Sequence, residues 1–149
     1  MSFFDYSEQY DYPIFFEECK VPQQTKIFRE LINKYHSYVK YSDVPQRRIN
    51  YLIYRTSDSK VIGAIGISSC VLAISVRDNY IGWDKETRLR NSNMVANNYR
   101  FCLTPDNGIK NVGTMALKLL RVEGGKRWKE KYGDDLVMLE TFVQPLRDD

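Results

Sequence analysis

The sequence contains one histidine, His36, which lies between tyrosines in the run "YHSY" of residues 35–38. An imidazole titrates near neutral pH, so His36 could accept a proton from an attacking amine or hydroxyl. The phenol of Tyr38 could donate a proton to a leaving group. The structural alternatives are that the imidazole caps the end of the preceding helix and that the tyrosine ring only packs. His36 and Tyr38 are therefore candidates for proton transfer.

A carboxylate interrupts the apolar run "MLETFV" of residues 138–143 at Glu140. Strand alternation places Met138, Glu140 and Phe142 on one face, and an unpaired buried carboxylate would be costly. Glu140 is therefore either a catalytic carboxylate that faces a site or one half of a structural ion pair. In the second interpretation, Arg100 on the preceding strand is the expected partner.

A glycine-bearing loop precedes an amphipathic helix in the run "NNYRFCLTPDNGIKNVGTMALKLL" of residues 97–120. The amino end of a helix offers free N–H groups and a positive dipole end to a phosphate. The stretch "KNVGTM" is a degenerate form of the loop R/Q-x-x-G-x-G/A with which N-acetyltransferases hold the pyrophosphate of acetyl-coenzyme A, and Met115 stands at the place of its third small residue. The residues predicted to bind such a cofactor are Lys110, Asn111, Gly113 and Thr114. The alternative is that Asn111 only caps a core helix.

Basic residues occur at two places that could contact a nucleic acid. Arg47 and Arg48 are adjacent, and Lys126 and Arg127 precede Trp128. Such side chains position a protein on a phosphate backbone without reading bases. The alternative is a solvated helix face, because acidic residues are interspersed with the later group. The net charge of +3, from 22 basic and 19 acidic residues, is too small to indicate nucleic-acid binding by itself.

The composition is that of one globular domain. The 149 residues are 43% hydrophobic, which is enough to bury a core. The three cysteines are odd in number and show no CxxC spacing, which indicates a reducing compartment and predicts no metal site. The first residues do not resemble a signal peptide, and no apolar run is long enough to span a membrane. We expect a cytoplasmic protein with no membrane contact.

The pattern of apolar residues predicts an α/β or α+β domain with a mixed sheet over residues 23–149, preceded by an irregular aromatic arm at 1–22. Asn97 and Asn98 precede a predicted strand and either hold a loop or contact a substrate. The predicted elements are a helix at 24–35, a hairpin of strands at 49–55 and 61–69, a loop at 77–83, an exposed helix capped by Asp84, a strand at 99–103, a helix at 112–121 stopped by Gly124 and Gly125, a short helix ended by Gly133, and a strand at 136–143.

Eight stretches in a fixed order, covering residues from about 28 to 144, carry a resemblance to a known family. They are "YHSY" (35–38), "INYLIY" (49–54), "VIGAIGISS" (61–69), "RDNYIGW" (77–83), "NNYRFCL" (97–103), "KNVGTMALKLLR" (110–121), Trp128 to Gly133, and "LETFV" (139–143). The sequence resembles the DruA proteins of Druantia anti-phage systems and, more distantly, the Mom-type phage enzymes that modify adenine in DNA.

The resemblance implies a fold akin to the N-acetyltransferase superfamily and work on or around DNA in phage–host conflict. Mom-type enzymes have a histidine–tyrosine pair after the first helix, which His36 matches. Sheets of this type continue with further strands after one like 136–143. We therefore expect either a naturally short version of the fold that lacks the last strands, or a further segment or a second chain that completes the sheet.

Two functions follow as hypotheses. In the first, the protein is an acyl transferase that acts on DNA or a nucleotide, uses acetyl-coenzyme A or another acyl donor, and transfers protons through His36. In the second, it is a non-catalytic module that keeps the fold and binds nucleic acid or protein without using a cofactor.

Overall fold

A computed structural model describes residues 12–35, 47–70 and 75–141. The predicted catalytic residues His36 and Tyr38 lie outside these ranges. Within them, no helix combines the length and the apolar character needed to cross a membrane.

The centre of the fold is a five-stranded sheet in which the strands follow one another in chain order. Consecutive strands among the first four pair antiparallel, and the fifth strand pairs parallel with the fourth. The strands are β1 (Ile14–Glu18), β2 (Arg48–Arg55), β3 (Lys60–Ser69), β4 (Val95–Leu103) and β5 (Met138–Glu140).

Helices connect the strands and cover the sheet. They are α1 (Pro22–Tyr35), α2 (Ser75–Ile81), α3 (Lys85–Asn91), α4 (Val112–Leu119) and α5 (Gly125–Tyr132). A 3₁₀ turn (Ser92–Met94) precedes β4, and a π-helical turn (Leu120–Gly124) joins α4 to α5. The predicted mixed α/β fold class is confirmed.

The sheet has one hydrophobic cluster on each face. On one face, Phe28 and Ile32 of α1 pack against Leu52, Ala64 and Cys102. On the other face, the apolar side of α4 and α5 packs against alternate residues of β2, β3 and β4, and this cluster includes the buried Trp128. The alternation of side chains along each strand therefore supplies both layers.

Several local predictions are confirmed. The hairpin of β2 and β3 forms as expected, and its turn contains Ser59 at φ 54°. Asp84 caps α3 by accepting a hydrogen bond from the backbone N–H of Thr87 at 2.7 Å. Gly133 ends α5 in a left-handed conformation at φ 83°.

The assignment of residues 1–22 to an irregular arm is wrong at β1. Its five residues pair antiparallel with β2, from Ile14 opposite Arg55 to Glu18 opposite Tyr51. The partner strand lies more than 30 residues later in the chain. A short run without a neighbouring turn gives no local sign of such a long-range pairing.

Two further boundaries differ from prediction between β3 and β4. Residues 77–83 were predicted as a loop, but most of them belong to α2, whose Arg77 and Asp78 are buried together as an ion pair. Strand β4 begins at Val95 rather than at residue 99, so Asn97 and Asn98 lie inside it and are buried. Polar residues that are buried and paired in the fold give the same sequence pattern as loop residues, so the sequence predicted loops there.

The prediction that Gly124 and Gly125 stop the preceding helix is wrong. Both have right-handed helical dihedral angles with φ −63°, and the chain continues into α5. At Gly124 the absence of a side chain has a packing reason, because a Cβ there would lie 3.3 Å from Cδ1 of Ile67 on the sheet. A glycine ends a helix only where the backbone turns left-handed, as at Gly133.

Gly63 and Gly125 offer a matched pair of substitutions. A Cβ at Gly63 would lie 2.5 Å from the backbone oxygen of Cys102 on β4, whereas nothing lies within 4 Å of a Cβ at Gly125. We expect Gly63→Ala to lower the free energy of unfolding by roughly 1–3 kcal/mol, because β3 and β4 must separate. We expect Gly125→Ala to raise it by up to about 1 kcal/mol, because alanine favours the helix. Urea unfolding measures both, and equal effects would contradict this account of the sheet.

Candidate functional site

A row of polar residues crosses the sheet from β2 to β5. Arg48 pairs with Ser68, Ser68 with Asn97, and Asn97 with Glu140. Paired residues on neighbouring strands project from the same face, so these four residues form one polar row. The row shares its face with α1, which covers the opposite end of the sheet at Leu52, Ala64 and Cys102.

Glu140 is paired with Arg77 of α2. Both carboxylate oxygens accept a hydrogen bond from Nη1 of Arg77 at 3.2 Å, and the two side chains are 11% and 6% exposed. The prediction that Arg100 is the partner is wrong, because Arg100 donates instead to the backbone oxygen of Tyr99 at 2.8 Å. The strand register explains this, since Glu140 lies opposite Asn97 and not opposite Arg100.

The ion pair extends into a network of four charged residues, Arg77, Asp78, Arg88 and Glu140, which we call the ion network. Asp78 accepts from Nε of Arg77 at 3.2 Å and from Nη1 of Arg88 at 3.0 Å. The guanidinium of Arg77 also lies 5.8 Å from the ring centre of Trp83. With two positive and two negative members, the network balances its charge inside the protein.

The pKa shifts in the ion network follow from this pairing. Burial alone would raise the pKa of the Asp78 carboxyl, but hydrogen bonds from Arg88 and Arg77 outweigh burial and lower it. Burial would lower the pKa of Arg77, but its hydrogen bond to Glu140 and the charge of that carboxylate outweigh burial and raise it. The pairing therefore stabilises the charged forms of Asp78 and Arg77.

Six buried side-chain polar atoms have no hydrogen-bond partner in the described part of the chain, and three of them belong to the polar row, the ion network or strand β4. Those three are Oδ1 of Asn97 and the Nε atoms of Arg88 and Arg100. Buried polar atoms are nearly always satisfied, so the unpartnered Oδ1 of Asn97, on the residue paired with Glu140, indicates a place for a bound molecule or water. Asn97 was predicted either to hold a loop or to contact a substrate, and its position beside Glu140 is compatible with the second role.

A β-bulge in β4 shapes the surface next to the polar row. Gly66 pairs with Arg100 and Ile67 pairs with Asn98, so Tyr99 is the extra residue. The Tyr99 hydroxyl bonds to the side chain of Asn50, and a Cβ at Gly66 would lie 2.7 Å from the Tyr99 ring. The bulge thus turns an aromatic side chain over a glycine. β-Bulges are over-represented beside active sites.

The loop of residues 104–111 connects β4 to α4 and is organised by Asn107. Its side chain accepts from the backbone N–H of Ile109 at 2.9 Å and donates to the backbone oxygen of Thr104 at 2.8 Å. Arg55 of β2 donates to the Asn107 backbone oxygen at 2.8 Å. These bonds fix the loop at the carboxyl end of β4.

The residues predicted to hold a phosphate lie together at the start of α4. Lys110, Asn111 and Thr114 are exposed, and Gly113 is half-buried. Asn111 makes no side-chain capping bond and adopts a left-handed conformation, so the interpretation of its side chain as a helix cap is wrong. The first N–H groups of α4 have no partner within the helix. Met115, at the place of the expected small residue, packs against the core.

Between this loop and Glu140, one edge of β4 has no strand partner among the described residues. Strand β5 pairs only with Val95–Asn97 of β4, and the rest of β4 bonds to β3 alone within the described residues. The open stretch, residues 98–103, is about 20 Å long. Ligands of α/β proteins commonly bind at the carboxyl ends of parallel strands, which is where this opening lies.

The basic residues predicted to contact nucleic acid are mostly engaged within the protein. Arg47 pairs with Asp134 at 2.6 Å, and Arg127 pairs with Glu18 at 2.6 Å. The backbone of Arg48 bonds to the hydroxyl of Tyr132. Lys126 is exposed.

The cysteines are poorly suited to nucleophilic chemistry. All three are free, and burial raises the pKa of Cys102 to about 11 and that of Cys19 to about 12. A thiol is nucleophilic as a thiolate, which these groups rarely form at neutral pH. Among the described residues, no group of three or more His, Cys, Asp or Glu side chains could hold a metal ion.

Comparison with known proteins gives two findings. The sequence model of a family described as "Druantia protein DruA" matches residues 13–147. Druantia protein DruA of Escherichia coli (strain UMEA 4076-1) is 47% identical over 49 residues. That alignment covers 33% of this chain and 12% of the relative, so the match spans only a small part of the relative's length.

Asp78 makes the stability of the protein sensitive to acid. Its pKa is lower in the folded chain than in the unfolded chain, so its contribution is present above pH 4 and is lost as the pH falls through the folded pKa. We expect Asp78→Asn to destabilise the protein at pH 6 and the difference from wild type to shrink toward pH 3. Urea unfolding at several pH values measures this, with the exposed Asp135→Asn as the control. A difference that stays constant with pH would contradict the role of the ion network.

Proposed function

Because the family model matches residues 13–147, the chain belongs to the DruA family of Druantia proteins, and we propose that it is a group-transfer protein that acts on DNA or a nucleotide. Membership in the family supports a role in anti-phage defence. The whole relative is much longer than the aligned segment, so the reaction, the substrate and the partners given below belong to this proposal.

The observation that carries the proposal is the edge of β4 beyond Asn97, which has no second strand partner among the described residues. It lies between a loop suited to phosphates at one end and a carboxylate beside unsatisfied polar atoms at the other. A donor with a phosphate at one end and a reactive group at the other would span such an edge. Acetyl-coenzyme A or another acyl donor has this form.

The donor phosphates would lie at the start of α4. Lys110 supplies a positive charge, and the backbone of the half-buried Gly113 and the hydroxyl of Thr114 supply hydrogen-bond donors. Asn111, with its side chain free of a capping bond, is available to the same ligand. We assign these four residues to cofactor binding.

The acceptor would lie at the polar row. Glu140 would take the proton released when an acceptor amine attacks the acyl carbon. Asn97, whose Oδ1 has no partner in the described part of the chain, would accept a hydrogen bond from the same amine. His36 is the alternative acceptor of that proton and Tyr38 the donor to the leaving group, and both lie outside the described residues.

A binding module without catalysis is the second candidate, and two observations favour it. Both oxygens of Glu140 are engaged by Arg77, and Met115 fills the core where a phosphate loop needs a small residue. In this case the protein keeps the fold and binds nucleic acid or another protein.

We also propose where the protein works and what completes it. Free thiols fit a reducing compartment, and we place the protein in the cytoplasm. Strand β5 has three residues and a neighbour on one side only among the described strands. We propose that a further segment or a second chain pairs with its other edge.

Binding of acetyl-coenzyme A tests the donor site. A ligand at 100 times its dissociation constant raises the free energy of unfolding by about 2.7 kcal/mol, which thermal unfolding detects. We expect Lys110→Ala to weaken binding at least several-fold, because it removes the cation at the loop. Lys118→Ala, also exposed but in the last turn of α4, is the matched control. Salt-sensitive binding of DNA without any effect of acetyl-coenzyme A would favour the binding module.

Release of free coenzyme A thiol in the presence of DNA tests the reaction. If Glu140 is the general base, Glu140→Gln should lower the rate roughly 100-fold or more. Glu86→Gln, at an exposed position of α3, is the control. Unfolding of both variants by urea shows whether the fold is retained. An unchanged rate in a folded Glu140→Gln protein would remove Glu140 from the mechanism.

A further inference from the structure

A groove of about 370 Å³ lies beside the π-helical turn and α5. It is separate from the polar row and from the loop before α4. Three of its lining residues are basic, namely Arg121, Lys126 and Lys129, and two are acidic, namely Glu130 and Asp135.

The acidic residues of the groove are already paired. Asp135 accepts from Lys129 at 2.7 Å, and Glu130 lies 3.6 Å from Arg127. Arg121 and Lys126 are exposed, and neither forms an ion pair with a described residue. The half-buried Glu123 feels the charge of Lys126, which partly offsets the effect of burial on its pKa. The groove therefore presents two positive charges that have no ion-pair partner among the described residues.

Gly125 opens the groove between these charges. Its dihedral angles are those of an ordinary helix, and nothing lies within 4 Å of a Cβ built on it. Neither backbone conformation nor packing therefore requires a glycine, although glycine weakens a helix relative to alanine. The missing side chain leaves room for a group to approach the backbone, with Arg121 and Lys129 one turn away on either side.

We propose that this groove binds the phosphate backbone of a nucleic acid, with Arg121 and Lys126 as its cationic contacts and Gly125 as the open floor. The guanidinium fork of arginine matches two phosphate oxygens, and the ammonium of lysine acts as a point charge. Contacts of this kind hold a nucleic acid without reading its bases. The proposal rests on the proposed function in that it assumes DNA or a related polymer as the substrate.

The groove also gives a different set of nucleic-acid contacts from the one predicted from the sequence. Arg47 and Arg127 are held by Asp134 and Glu18, so a phosphate would have to displace a carboxylate from each. Arg121 is not among the residues predicted from the sequence, because its access to an open groove depends on the course of the helix through the π turn. Lys126 is common to both descriptions.

Fluorescence anisotropy with labelled duplex and single-stranded DNA of about 20 nucleotides, at several salt concentrations, tests the proposal. The plot of log K against log salt has a negative slope, and each lost phosphate contact reduces the magnitude of that slope by roughly 0.9 on duplex DNA. The double variant Arg121→Ala/Lys126→Ala should therefore bind at least tenfold more weakly and lose about 2 from the slope. The double variant Lys85→Ala/Arg90→Ala, at two exposed basic positions of α3, should leave both quantities unchanged.

A substitution at Gly125 separates the groove from general charge effects. Gly125→Glu places a bulky negative side chain in the groove and should weaken DNA binding more than the control substitutions do. Gly125→Ala keeps the helix and should weaken it only slightly, and unfolding by urea verifies that both variants fold.

The outcomes separate this proposal from the proposed function. Loss of DNA binding in the Arg121 and Lys126 variant supports the groove, whether or not acetyl-coenzyme A binds at the loop. Unchanged affinity and salt slope in that variant overturns the groove, and so does a wild-type protein that binds neither form of DNA. Because acetyl-coenzyme A binding is measured on the Lys110 variant, failure of the donor site leaves the groove result intact.

Discussion

The parallel pairing of β5 with the first three residues of β4 is the constraint on which the rest of the structure depends. Two parallel neighbours require a crossover connection, and here α4, the π turn and α5 make it. The apolar side of that crossover covers one face of the sheet and forms the larger core. The pairing also brings Glu140 beside Asn97 and leaves the rest of β4 open within the described residues.

The ion network shows how the fold tolerates charge inside it. Arg77 and Glu140 are almost fully buried, and removal of one partner would leave the other charge unpaired, which costs far more than an exposed pair contributes. Asp78 and Arg88 extend the pairing so that α2 and α3 are tied to β5. A binding site next to such a network has fixed charges and needs little rearrangement to hold a polar ligand.

The two proposed ligand sites would bind through different kinds of interaction. At the polar row, the Asn97 oxygen, which has no partner among the described residues, would be satisfied by a small molecule. At the groove beside α5, exposed charges would exchange counterions for phosphates, so affinity depends on salt. A protein that modifies a nucleic acid needs both kinds of contact. Hydrogen bonds at buried polar atoms give specificity, and phosphate contacts attract the polymer.

Prediction from the sequence succeeded where structure is local. The β2–β3 hairpin, the Asp84 cap and the stop at Gly133 depend on a few neighbouring residues, and all three are present. Glu140 stood out for a similar reason, because a carboxylate in an apolar strand must be explained. Strand β1 failed because its partner is remote.

The sequence by itself determined the fold class, the order of most elements and the importance of Glu140, since hydrophobic periodicity and turn chemistry are properties of short segments. Only the tertiary structure decided that Arg77, 63 positions away, is the partner of Glu140 and that Arg121 lies open in a groove. It also decided that Gly125 continues a helix. Strand register, crossover geometry and the competition of carboxylates for each arginine depend on residues far apart in the chain, and no local pattern encodes them.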